Sequence, residues 1–166
     1  MASPLPSVQT AEELLERRQS LRAIGKKLVL TNGCFDLLHP GHLTFLAQAS
    51  KLGDALWIGL NGDQSVAALK GPTRPILSET ERAFMLLSLR SVQAVFVFQT
   101  PRLDREIDLL EPDIYTKAGD YSRDTLDRAE FAALERCNAS LVFIPYLEGF
   151  STTRMIQKIN QAAQTF

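Results

Sequence analysis

The sequence is poor in the features that mark several large classes of protein. It holds only two cysteines, Cys34 and Cys137, which make neither a disulfide framework nor a metal-ligand spacing. No metal site built from protein side chains is expected. Neither sign of charge is in excess: 18 Lys and Arg stand against 19 Asp and Glu, for a net charge of −1. A general binder of nucleic acid or of a membrane surface carries a basic excess or block, so neither partner is expected. Long apolar runs are missing too. The longest stretch free of Asp, Glu, Lys and Arg is residues 37–50, which include two His and a Pro, whereas a membrane span takes about 20 apolar residues. The opening residues lack the basic-then-apolar order of a signal peptide, because Glu12 and Glu13 fall where the apolar core should be. There is no low-complexity tract, linker or repeat of about 20–50 residues. A reducing, cytoplasmic setting is the simplest expectation.

What is present is an alternation of short apolar runs with amphipathic stretches. The chain has 166 residues, 45% of them hydrophobic, enough to bury roughly 70% of the surface its unfolded form exposes. One domain over residues 1–166 is expected, with a helical segment at 1–26 and the core at 27–160. Thr10 and Glu13 read as a capping box opening a helix that Gly25 closes. Ser78 and Glu81 read as a second. Strands are predicted at 28–30, 55–60, 92–98, 114–116 and 141–144, with helices between them, including one over 123–136 and a last one over 152–163. Five apolar strands alternating with helices predict an α/β fold, a Rossmann-like three-layer sandwich around a five-stranded parallel sheet. In such sheets ligands sit at the carboxyl ends of the strands, so the loops there should carry the chemistry.

The loop after the first strand reads Asn32-Gly33-Cys34-Phe35-Asp36, then His39-Pro40-Gly41-His42. Gly33 lets the backbone turn tightly and approach a ligand. Pro40 and Gly41 open a helix whose free N–H groups form an anion site. His39 and His42, three apart at the head of that helix, can face the same oxygens. Two imidazoles with a helix start suit a polyphosphate. Near the end of the chain, Ser151 and Thr152 can cap the final helix and present hydroxyls and N–H groups to phosphate.

His39-Pro40-Gly41-His42, with Gly33, Phe35 and Asp36 ahead of it, resembles the HxGH signature of the nucleotidylyltransferase superfamily. Glu148-Gly149-Phe150-Ser151-Thr152-Thr153 resembles that superfamily's second signature. The segments Asn61–Val66 and Leu69–Ile76, with Ser78, Arg82 and Lys117-Ala118-Gly119-Asp120-Tyr121, resemble the heptose-1-phosphate adenylyltransferase branch. Ala118 departs from the usual pattern, which has a second glycine there; its methyl narrows the approach of backbone to nucleotide. Tyr146 stands where the glycerol-phosphate cytidylyltransferase branch carries an arginine, which counts against that branch. The resemblance runs from about Ala11 to Ile159. It leaves no length for a sugar kinase, so a separate polypeptide is expected to supply the sugar phosphate. It also implies a homodimer.

The resemblance implies attack by a sugar 1-phosphate oxygen on the α-phosphorus of ATP, expelling pyrophosphate, with Mg²⁺ held mainly by the phosphates. It implies that His39, His42 and Lys70 are catalytic. It implies nucleotide contacts from Asn32, Gly33, Cys34, Phe35, Gly41, Lys117, Gly119, Asp120, Glu148, Gly149, Ser151, Thr152 and Thr153. Lys70 is expected to receive the sugar phosphate with help from Arg74. Asp36 serves either sugar hydroxyls or metal, or else caps its loop. Arg82 either reaches phosphate or pairs with Glu79 or Glu81. Cys34 is expected to pack rather than react, and Trp57, Phe96 and Phe98 to lie in the core. Competing readings are a cytidylyltransferase for glycerol 3-phosphate or another polyol phosphate, a flavin adenylyltransferase, and a nucleotide-binding sensor without turnover.

Overall fold

Leu28-Val29-Leu30 alternates its side chains between two separate apolar clusters, and that alternation fixes the layering of the molecule. Leu28 and Leu30 join one cluster with Trp57, Phe96, Ile107, Tyr115 and Leu134. Val29 joins the other with Phe45, Leu46, Leu56, Ile58 and Leu86. Successive residues of a strand point to opposite faces, so a strand apolar at every position must be covered on both. The computed structural model describes residues 8–119, 121–145 and 147–163.

The elements follow in the order α1 (Leu15–Ala23), β1 (Leu28–Gly33), α2 (Pro40–Ala49), β2 (Ala55–Asn61), α3 (Asp63–Lys70) and α4 (Glu79–Leu87). Then come β3 (Ala94–Phe98), α5 (Asp104–Leu110), β4 (Ile114–Ala118), α6 (Arg128–Arg136), β5 (Ser140–Ile144) and α7 (Thr152–Ala163). The five strands form one sheet in the order β3-β2-β1-β4-β5, every pairing parallel. The fold is thus an α/β, Rossmann-like sandwich. From β1 the chain steps outward through β2 to β3, then returns to β4 on the other side of β1. The order reverses between β1 and β4, and a cleft opens there at the carboxyl ends.

Both predicted capping boxes form. Thr10 and Glu13 exchange backbone N–H to side-chain bonds, although the turn they open is 3-10 (Glu12–Leu14) before α1 begins. Ser78 and Glu81 do the same ahead of α4. Gly25, at φ 69, ends the α1 region. Before α1, Gln9 bridges β3 at Phe96, and Ala11 and Leu14 lie within the first apolar cluster. The N-terminal helical segment therefore belongs to the same core as the sheet. Trp57, Phe96 and Phe98 are buried, as the apolar runs implied.

Two expectations are corrected. Helix α6 starts at Arg128, not at 123, because the Asp127 carboxylate accepts from the N–H groups of Ala129 and Glu130 and fixes the start there. Strand β1 runs on through Asn32 and Gly33, which pair in register with Gly59 and Leu60. The positive φ in this turn falls on Phe35, at 41°, and not on Gly33. What Gly33 provides is room, since a Cβ there would meet the Phe35 ring at 3.0 Å.

Candidate active site

At the carboxyl ends of β1, β2 and β4 lies a cavity of about 670 Å³. It gathers most of the residues singled out from the sequence. Asn32, Gly33, Cys34, Phe35 and Asp36 line it, with His39, Gly41 and His42, then Lys70 and Arg74, Lys117, and Thr152 with Thr153. The first and last βα loops, 110 residues apart in the chain, thus meet at one opening.

The two histidines form one unit. His39 is the N-cap of α2, and its Nδ1 accepts from the backbone N–H of His42 at 3.3 Å. The rings stack with centroids 3.7 Å apart and planes 19° off parallel. Phe35 closes the far side of His42, with ring centroids 5.2 Å apart. A Cβ on Gly41 would meet the His39 ring at 3.0 Å, which explains glycine between the histidines. Burial, reinforced by the neighbouring His39, pulls the His42 pKa down to about 4, with only the Leu37 backbone opposing. Burial lowers that of His39 as well. At neutral pH both rings are uncharged, and they meet an anion as N–H donors.

Asp36 has a structural task. Its carboxylate accepts from the Ile76 N–H at 2.8 Å, the Leu77 N–H at 3.1 Å and Arg74 Nε at 2.5 Å, and the residue is buried. It therefore clamps the 74–77 segment rather than its own loop, a role that neither expectation named. Asp36 ties the segment after α3 down over the cavity, and Arg74 is neutralised in doing so. Lys70, the last residue of α3, stays exposed at the rim.

Arg82 corrects an expectation outright. It is 1% exposed and lies behind the cavity. Its guanidinium donates to the Leu77 carbonyl at 3.0 Å, the Cys34 carbonyl at 2.5 Å and the Asp63 carboxylate at 2.8 Å. It meets neither Glu79 nor Glu81, and each of its three nitrogens is engaged within the protein rather than at the cavity. A buried cation needs partners on every side, and here the partners are the loop ends that shape the site. Burial pushes the Cys34 thiol up, so it stays protonated; the half-buried side chain lines the cavity.

Gly119, Glu148, Gly149 and Ser151 line a neighbouring groove with Phe150 and Arg154, apart from the main cavity. Ser151 Oγ accepts from the Arg154 N–H at 3.2 Å, which makes it the cap of α7. Gly119 has φ 88, whereas Ala118 ends β4 in ordinary extended backbone. Only the second position of that pair needs glycine. Asp120 and Tyr146 lie outside the described residues.

Sequence reasoning missed four further lining residues, Asn61, Arg102, Asp127 and Glu130, and the buried Tyr115 that Glu130 meets. Tyr115 shares a strand face with Lys117 two residues on, a placement the strand period gives away. Glu130 stands at the head of the buried stripe of α6, on the same helix face as Ala133 and Leu134, three and four residues on. An acid on an apolar stripe was the available signal.

The cytidylyltransferase-like family model matches residues 30–158. The chain belongs to that family. The superfamily read from the HxGH signature therefore holds. The Bifunctional protein HldE of Desulfatibacillum aliphaticivorans is 43% identical over 148 residues, 89% of this chain and 30% of its own length. The protein of the same name from Helicobacter pylori (strain P12) is 44% identical over 156 residues, 94% of this chain and 32% of its own. These relatives agree with the branch the motifs resemble. The chain spans about a third of the length of the curated relatives it matches. Among solved structures, the lipopolysaccharide core biosynthesis protein from Thermoplasma volcanium GSS1 superposes with a TM-score of 0.59 at 25% identity, over 74% of this chain and 98% of that one. No helix among the described residues is long and apolar enough to cross a membrane.

Proposed function

We propose that this member of the cytidylyltransferase-like family is a nucleotidyltransferase that joins the AMP moiety of ATP to D-glycero-β-D-manno-heptose 1-phosphate. The products are ADP-heptose and pyrophosphate, and the role is supply of a lipopolysaccharide core precursor. The observation that carries this reading is the meeting of the stacked His39–His42 pair, Lys70, Lys117 and the Thr152–Thr153 helix start around one cavity at the β1/β4 reversal. The bifunctional relatives support the choice of substrate.

In the proposed reaction a phosphate oxygen of the sugar forms a bond to the α-phosphorus while the bond to the bridging oxygen of pyrophosphate breaks. No side chain becomes covalently attached. Catalysis is positioning and stabilisation of charge. His39 and His42 donate to phosphate oxygens as negative charge grows, with His42 the principal donor. Lys70 holds the sugar phosphate at the rim. Arg74 helps by anchoring the loop through Asp36. Lys117 and the α7 start hold the nucleotide. Among the described residues no group of three His, Cys, Asp or Glu side chains is placed to hold a metal. Magnesium carried by the triphosphate would neutralise part of its charge.

The sugar phosphate is proposed to come from a separate sugar kinase activity. The chain is proposed to work as a homodimer, which its near-neutral charge does not oppose, in the cytoplasm, where free cysteines fit a reducing setting. The testing experiment is pyrophosphate release with ATP and CTP, each against heptose 1-phosphate and glycerol 3-phosphate. Release confined to ATP with heptose 1-phosphate supports the reading. Release confined to CTP with glycerol 3-phosphate overturns it.

A further inference from the structure

In the wall of the cavity lies a largely buried carboxylate that the transfer mechanism does not use. Glu130, on α6, has a side chain 6% exposed and stands 3.7 Å from Nζ of Lys117, itself 11% exposed. One Glu130 oxygen accepts from the Leu103 N–H at 3.0 Å. The other faces the Tyr115 hydroxyl at 3.1 Å. The same hydroxyl lies 2.8 Å from Asn32 Oδ1, and Lys117 Nζ also donates to that oxygen. The Lys117 ammonium sits over the rings of Tyr115 and Tyr121, at 5.5 and 5.3 Å.

An ammonium only donates, so the Asn32 atom it meets is the amide oxygen. Asn32 itself lines the cavity, so this network fixes the amide of a cavity-wall residue. Lys117 would be an uncompensated buried cation without Glu130, and such a charge is expelled or neutralised. Burial lowers the Lys117 pKa, and Glu130 is the foremost influence opposing that.

We propose that Glu130 is a positioning residue for the nucleotide: through Lys117 and Tyr115 it fixes the Lys117 ammonium and the Asn32 amide at the cavity wall, at the ends of β4 and β1. Glu130 touches no substrate itself. This proposal rests on the reading of the cavity as a nucleotide site.

The test is a double-mutant cycle read by calorimetric titration of ATP into the full chain. Glu130→Gln keeps the size of the side chain and removes the charge; Lys117→Met removes the cation. Each alone should weaken ATP binding about tenfold, and the double variant should bind no more weakly than Lys117→Met alone. Unchanged affinity in Glu130→Gln, or losses that multiply in the double variant, would overturn the proposal. Tyr115→Phe, which keeps the buried ring and deletes the bridging hydroxyl, gives a second reading should Glu130→Gln fail to fold. A several-fold weaker affinity is expected from it, and an unchanged one would contradict the proposal. The cycle reads binding alone, so wild-type protein that binds ATP but releases no pyrophosphate would overturn the transfer reading separately.

Discussion

The ring of His39 lies 3.7 Å from that of His42 and accepts its backbone N–H. The bond fixes the tautomer of His39: with Nδ1 accepting, the proton of the neutral ring sits on Nε2. The stacking also makes it costly for both rings to be charged in the empty site.

The pH dependence of stability follows. His42 binds its proton near pH 6.5 when unfolded and at about 4 when folded. Between those values the unfolded chain holds more protons, so acidification favours unfolding, by up to about 1.4 kcal/mol per pH unit. Denaturant midpoints should fall from pH 7 to pH 5 in the wild type, and fall less in His42→Asn. Turnover of His42→Ala should drop by about 10²–10³-fold with the fold intact.

Lys70 and Arg82 look alike in sequence and should behave oppositely. Lys70→Ala should leave the thermal midpoint unchanged and raise the sugar-phosphate KM while nucleotide affinity holds. Arg82→Ala should cost about 2–4 kcal/mol of stability, because it strands the Leu77 and Cys34 carbonyls and empties the volume of a fully buried side chain. Equilibrium unfolding of the two variants side by side checks both.

Asp36→Asn replaces one of two accepting oxygens with a donor that faces N–H groups. A loss of about 1–3 kcal/mol is expected, with kcat/KM for the sugar phosphate falling more than nucleotide affinity. Steady-state kinetics in each substrate separates these.

Ala118 and Gly119 give a paired prediction. Ala118→Gly should change kinetics little, since β4 is extended there. Gly119→Ala must hold a side chain at φ 88, at a cost of about 1–2 kcal/mol. Thermal unfolding of both variants measures the contrast.

Much of this was legible in the chain because the signals were local. Apolar runs such as Leu28–Leu30 and capping boxes such as Ser78 with Glu81 depend on neighbours a few residues away. The histidine pair was legible for the same reason. Arg82 was misread because its partners, Cys34 and Asp63, lie 48 and 19 residues away, and nothing local distinguishes a buried clamp from a free phosphate ligand. Asp36 shows the same limit, its partners lying 38 to 41 residues on. Glu130 was passed over because an acid on a helix usually faces water.

The most direct measurement is the mass of the product formed when the wild-type chain is incubated with ATP, magnesium and D-glycero-β-D-manno-heptose 1-phosphate. A nucleoside diphosphate sugar with the mass of ADP-heptose, formed one-for-one with pyrophosphate, is the expected result. Intact ATP and sugar phosphate after incubation, under conditions where the chain is folded and binds ATP, would contradict the proposed transfer.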